Sequence, residues 1–180
     1  MLARSSGSST PRPSRGARHS TPSLPSARSA SRSSDGTGSD VLTEIDHVAI
    51  AVRDLDAAVA WYAGSLGATV VHREVVASDG VEEALVAVAE SYVQLLTPTT
   101  DTSPVARFLA SRGEGLHHVA YRVDDCAAAL EAVKATGARV IDVVPRPGSR
   151  GTTVAFVHPT ASFGTLIELV QDNSVVTDGR

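Results

Sequence analysis

Four polar side chains sit inside stretches that otherwise read as buried strands: His47, Gln94, His118 and Glu168. The two histidines are 71 residues apart and the Gln–Glu pair is 74 apart, so a duplication of about that length superimposes the pairs. Each copy then offers one imidazole and one oxygen donor. Buried polar groups need partners, and a single shared cation would satisfy all four. Taken singly, a strand histidine also fits a hydrogen-bonded core position and a lone Gln or Glu a solvated strand end, so both readings stand at this level. If the site is a metal site, two nitrogens and two oxygens without thiolate favour divalent Co, Mn, Ni, Zn or Mg over a structural zinc finger. Four protein ligands in an open cleft leave two octahedral positions free. Such a centre can chelate a substrate through two neighbouring oxygens and act as a Lewis acid.

The elements that must position these residues form an internal repeat. Asp46-His47-Val48-Ala49-Ile50-Ala51-Val52 resembles His117-His118-Val119-Ala120-Tyr121-Arg122-Val123, both alternating with the strand period. After each comes an Ala-rich helical run. Asp54 caps the first, which extends through Leu66. Asp124 or Asp125 caps the second, which extends to about Thr136. Gly67 and Gly137 stop them. Strand-like text follows at Ala68–Val76, Glu82–Val88 and Tyr92–Leu96 in the first copy. The second copy has Arg139–Val144, Thr152–Val157 and Thr165–Val170. Between the copies, Pro104 opens a short connecting helix, Val105–Ser111. The expected fold is therefore α+β: tandem βαβββ modules whose curved mixed sheet encloses a cleft.

Composition separates this domain from what precedes it. Residues 1–40 are rich in Ser, Arg, Pro and Gly and cannot bury enough apolar surface to offset the entropy of ordering, so they read as a disordered extension. Six arginines against two aspartates give them a charge of +4; the whole chain carries −4, which leaves −8 for the rest. So acidic a domain does not suit nucleic acid. The single cysteine, Cys126, excludes an internal disulfide framework. No long apolar stretch marks a secretory signal or membrane anchor, so a cytoplasmic location is expected. The Arg/Ser-rich extension also resembles an organellar transit peptide, which makes an organellar matrix the alternative. The domain is expected over 44–171, followed by a short C-terminal tail at 172–180.

Across 44–171 the chain resembles the methylmalonyl-CoA epimerases, a family of the vicinal oxygen chelate (glyoxalase) superfamily. The resemblance rests on Ile45-Asp46-His47-Val48-Ala49, Gly80-Val81-Glu82-Glu83-Ala84, Val93-Gln94-Leu95-Leu96-Thr97-Pro98 and Gly115-Leu116-His117-His118-Val119-Ala120. It continues in Phe156-Val157-His158-Pro159 and Gly164-Thr165-Leu166-Ile167-Glu168-Leu169. It implies the glyoxalase fold, an acyl-CoA substrate, a homodimer and a divalent ion held by His47, Gln94, His118 and Glu168. It further implies that Glu83 stands across the cleft and shares proton transfer with Glu168, one as base and one as acid. Glu82 would face the opposite side of the strand.

Other residues are expected to matter less. His117 faces away from its neighbour His118 and takes a packing or supporting role. His158 lies in a loop, and His72 and His19 have no supporting context. Arg146, Ser149 and Arg150 lie in a Pro/Gly-containing loop that could meet an anionic substrate or could simply be surface. Three rival functions share the fold: a glyoxalase I-like lactoylglutathione lyase, against which Gln94 counts; an extradiol dioxygenase, which uses two His and one Glu on iron and would not need Gln94 or Glu83; and a non-catalytic small-molecule-binding protein, which would not need all four ligand positions filled.

Overall fold

The computed structural model describes residues 41–174. The expectations for the extension 1–40, including His19, and for the tail beyond residue 174 lie outside the described residues. Within them, strand β1 (Glu44–Ala51) is followed by helix α1 (Leu55–Leu66) and strands β2 (Val70–Val76), β3 (Val81–Val88) and β4 (Ser91–Pro98). Helix α2 (Pro104–Arg112) leads to β5 (Gly115–Arg122), α3 (Cys126–Ala135), β6 (Arg146–Pro147), β7 (Thr153–Val157) and β8 (Leu166–Gln171). All eight strands form one sheet in the order β2-β3-β4-β1-β5-β8-β7-β6. The order β2-β3-β4-β1 in the first half is matched by β6-β7-β8-β5 in the second, so the repeat seen in the sequence is a structural repeat. The halves join where β1 and β5 run antiparallel, and each of these strands is parallel to the last strand of its own half. The α+β class and the βαβββ modules are as expected.

Local chemistry explains the helix ends. Asp54 and Asp125 accept backbone N–H groups of Ala57 and Ala128, each satisfying one donor that a helix start leaves free. Gly67 closes α1 at φ 64°, a conformation that costs a residue with a Cβ. Helices α1 and α3 cover one face of the sheet. Leu55 joins Ala84, Val86 and Leu95, while Cys126 and Leu130 join Ala155 and Leu169. Burying Leu95, Leu130 or Leu169 contributes about 1.5–3 kcal/mol each. Helix α2 packs on the opposite face, where Val105 and Leu109 meet Ala49, Ala51, Val81 and Leu96. That leaves the centre of the second face as an open cleft.

One strand expectation fails. The segment Arg139–Val144 is not a strand; it contributes one bridge, Val140 to Val157, and the ladder resumes only at Arg146–Pro147. The Asp142 carboxylate accepts the Phe156 N–H at 2.8 Å, a donor the ladder would otherwise use. Pro145 and Pro147 have no N–H to offer. Ile141, Val143 and Val144 are left exposed, so the apolar run that suggested a strand is not a buried one. Among the described residues no helix is long and apolar enough to cross a membrane.

Candidate metal centre

The paired strands place the candidate ligands in two parallel rows. One row runs Gln94 on β4, Ala49 on β1 and His118 on β5; the other runs His47 on β1, Ala120 on β5 and Glu168 on β8. Side chains in register share a face of the sheet, so all four point into the cleft side. The alanine between each pair is the third residue of the repeated His-Val-Ala, and its small side chain leaves the space between ligands unfilled.

Three of the four converge closely. His47 Nε2 lies 3.1 Å from His118 Nε2 and 3.1 Å from Glu168 Oε2, and His118 Nε2 lies 2.9 Å from the same oxygen. Donor atoms bonded to one ion at about 2.1 Å in octahedral geometry are separated by about 3.0 Å along each edge, so this triangle fits a common cation. Gln94 lines the same cleft, and its Oε1 is buried with no hydrogen-bond partner, as a further oxygen ligand would be. The donor set of two imidazoles, one carboxylate and one amide oxygen could hold a divalent ion. The cleft has a volume of about 290 Å³.

Both histidines are set for this by their neighbours. In each central strand a register shift falls at the residue before the ligand, Asp46 in β1 and His117 in β5. A bulge turns that extra side chain out of strict alternation. Asp46 thus accepts His47 Nδ1–H at 2.8 Å, and His117 Nδ1 lies 2.8 Å from His118 Nδ1. Each bond occupies Nδ1 and leaves Nε2 facing the centre. His117 therefore does not face away as alternation predicts; it lines the cleft, stacked edge-on against Phe108. Burial, aided by the charge of His118, lowers its pKa to about 4, which keeps its lone pair available. His117→Phe, which keeps the ring but removes the acceptor, is expected to weaken metal binding about 10–100-fold with the fold intact. Competition against a chelating dye measures this, and unchanged affinity would show the bond to be idle.

Electrostatics in the cluster follow from proximity. Burial alone would lower the pKa of His47, but in the metal-free site its bonds to Asp46 and Glu168 prevail and push it up to about 9, so an ion bound there would displace that proton. Burial holds His118 below its usual value. Burial would raise Glu168, yet the two imidazoles hold it well below the usual carboxylate range. Asp46, buried and opposed by that burial, is still brought down to about 2 by His47, Arg150 and Arg122.

Glu83, 2% exposed, lines the same cleft from β3, the strand beside Gln94. Gln94 Nε2 donates to its Oε2 at 2.6 Å, while Oε1 is buried and unpartnered. Burial raises its pKa, and the nearby charge of Glu74 adds to this, against Ser149, His47 and Gln94. Glu82 points to the other side of the sheet and binds Arg73 at 2.8 Å. Gly80 lets β3 enter here: its φ is 63°, and a Cβ on it would stand 2.7 Å from Thr100 Oγ1.

The remaining candidates divide. Ser149 and Arg146 line the cleft, with Arg146 paired to Asp79 at 3.0 Å. Arg150 is committed internally, to Asp46 at 2.7 Å and over the Tyr92 ring. His158 caps a short 3-10 turn on the surface. Asp46 itself escaped sequence reasoning. The only signal available was a polar residue directly before each candidate histidine, in strands where strict alternation would expose one of the two.

Comparison with known proteins bears on this geometry. Residues 46–156 match the profile of the Glyoxalase/Bleomycin resistance protein/Dioxygenase superfamily. An ethylmalonyl-CoA/methylmalonyl-CoA epimerase of Cereibacter sphaeroides is 38% identical over 133 residues, 73% of this chain and 99% of that protein. The human mitochondrial methylmalonyl-CoA epimerase is 36% identical over 131 residues, 72% of this chain and 74% of its own. A solved structure of a methylmalonyl-CoA epimerase in complex with methylmalonyl-CoA and NH4+ superposes with a TM-score of 0.72 at 41% identity, covering 74% of this chain and 97% of that one. With the duplicated sheet and its cleft, these likenesses show that the chain belongs to the glyoxalase superfamily and, within it, to the methylmalonyl-CoA epimerase family.

Proposed function

We propose that this protein interconverts (R)- and (S)-methylmalonyl-CoA, with one divalent ion held by His47, Gln94, His118 and Glu168, and with Glu83 and Glu168 carrying protons on opposite faces of the substrate. The observation that carries the proposal is the triangle of His47, His118 and Glu168 donors no more than 3.1 Å apart, with the unpartnered oxygen of Glu83 in the same cleft. Relatives that span nearly the same domain bear the name of this activity.

The chemistry asks for these parts. The carbon between the thioester and the carboxylate loses its proton to give a planar enediolate, whose charge falls on the thioester oxygen. A bound divalent ion supplies electrophilic stabilisation of that charge. Inversion then requires a proton carrier on each face. Glu83 meets the need on one side: burial raises its pKa toward the working range, Gln94 fixes Oε2, and Oε1 is free to take or give the proton. Both imidazoles engage Glu168 at Oε2 and leave Oε1 for proton transfer; because they hold it well below the usual carboxylate range, Glu168 rests ionised and is protonated only in passing, as the proton returns to the enediolate. Val76, Leu96, Val154 and Phe156 give the cleft apolar walls that limit water around the intermediate.

The test is deuterium uptake at the substrate α-carbon. Protein reconstituted with one equivalent of cobalt is expected to exchange the α-proton of methylmalonyl-CoA in heavy water while scrambling its configuration. Turnover of the glutathione hemithioacetal of methylglyoxal in its place would assign a lactoylglutathione lyase, and silence toward both would favour a binding protein.

A further inference from the structure

We propose that His72, Glu74 and Glu83 form a second, inhibitory site for a divalent transition-metal ion, separate from the four-residue set. One ligand atom from each of the three lies within 4.8 Å of the others. The strand register produces the cluster: Glu74 and Glu83 are directly opposed across β2 and β3, and His72 lies two residues along on the same face.

The arrangement is unfavourable without a cation. Like charges directly opposed across a ladder destabilise it, and among the described residues no arginine or lysine side chain pairs with either of them. Arg73 bonds Glu82 and Asp56 instead. The guanidinium of Arg150 is spent on Asp46, and only its backbone N–H reaches Glu74 Oε1, at 3.1 Å. Glu74 Oε2 lies 3.3 Å from His72 Nε2. That nitrogen is buried with no hydrogen-bond partner, and so is Glu83 Oε1. Two opposed carboxylates balance a doubly charged ion, the imidazole nitrogen adds a third ligand atom, and the absence of thiolate suits Zn, Co, Ni or Mn. The His72 and Glu74 side chains are 31% and 35% exposed, which gives an ion a way in from solvent.

Glu83 belongs to both sites. An ion on its carboxylate occupies the oxygen that must exchange a proton with substrate, so metal beyond the first equivalent inhibits. The inhibition rests on the role proposed for Glu83; the binding does not.

Calorimetric titration of metal-free full-length protein with zinc tests the site. Two binding events per chain are expected, with the weaker one lost in His72→Ala. His118→Ala is expected to lose the tighter event and keep the weaker one, which separates the two sites whether or not the protein is active. A single event in the wild type, or a second event that persists in both His72→Ala and Glu74→Gln, would overturn the site. For inhibition, enzyme carrying one equivalent of cobalt should lose at least about a hundredfold in epimerisation as zinc rises, the lower bound for losing a general base. His72→Ala should resist. Equal inhibition of both proteins would overturn the inhibitory role.

Discussion

Glu83→Gln is expected to lower kcat for epimerisation by about 10²–10⁴-fold, the usual contribution of a positioned general base, while leaving the metal bound. The exchange replaces a buried carboxyl with an amide of the same shape, and the amide oxygen can still accept from Gln94 Nε2. It also removes the charge that opposes Glu74 across the ladder. Stability should therefore hold or rise slightly, so a lost rate would not reflect misfolding. Burial raises the Glu83 pKa, so the acid limb of the wild-type rate profile should lie above the ordinary carboxylate range, since the base must be ionised to act. Deuterium exchange at the α-carbon together with cobalt content measures both effects. A variant that exchanges at the wild-type rate would place the base elsewhere.

Asp46→Ala carries the largest expected cost in stability. This fully buried carboxylate binds His47 Nδ1 at 2.8 Å, Arg150 at 2.7 Å and Arg122 at 3.0 Å, which joins β1, β5 and the loop after β6. Breaking a buried ionic network by removing one partner costs about 3–5 kcal/mol. The Arg122 and Arg150 side chains are 24% and 18% exposed, so water recovers some of this and the low end applies. At about 2–4 °C per kcal/mol for a chain of this size, Tm should fall by roughly 6–12 °C at pH 7. Because the Asp46 pKa is brought down to about 2, its contribution is present above the ordinary value of 3.8 and lost as pH falls toward 2. The gap between wild type and variant should therefore close in acid. Thermal melts at pH 7 and below pH 3 check both statements, and a gap unchanged by pH would mean that packing, not charge, explains the loss.

Much of this was readable in the chain because it is local. Asp54, Asp125 and Gly67 punctuate their helices through bonds spanning a few residues. The strands of the first module agree with their apolar alternation to within two residues. Arg139–Val144 misled because alternation reports β-propensity but not whether a neighbour will pair; Asp142 and two prolines removed the pairing. His72 looked isolated because the stretch around it does not show that Glu74, two residues on, is opposed by Glu83 across the β2–β3 ladder.

The amino-acid order alone determined the duplication, and with it the four polar positions that recur in matched strands. Cap residues and period-two patterns belong to neighbouring residues, and the repeat is a likeness between two stretches of text, so all three are legible without the fold. Only the folded sheet decided which side chains support those four. Asp46 meets Arg122 and Arg150 across 76 and 104 residues of chain, and bulges at Asp46 and His117 turn two side chains that strict alternation would send elsewhere. Such choices depend on register between distant strands, where one residue of slip reverses a face, and no short window of sequence contains that information.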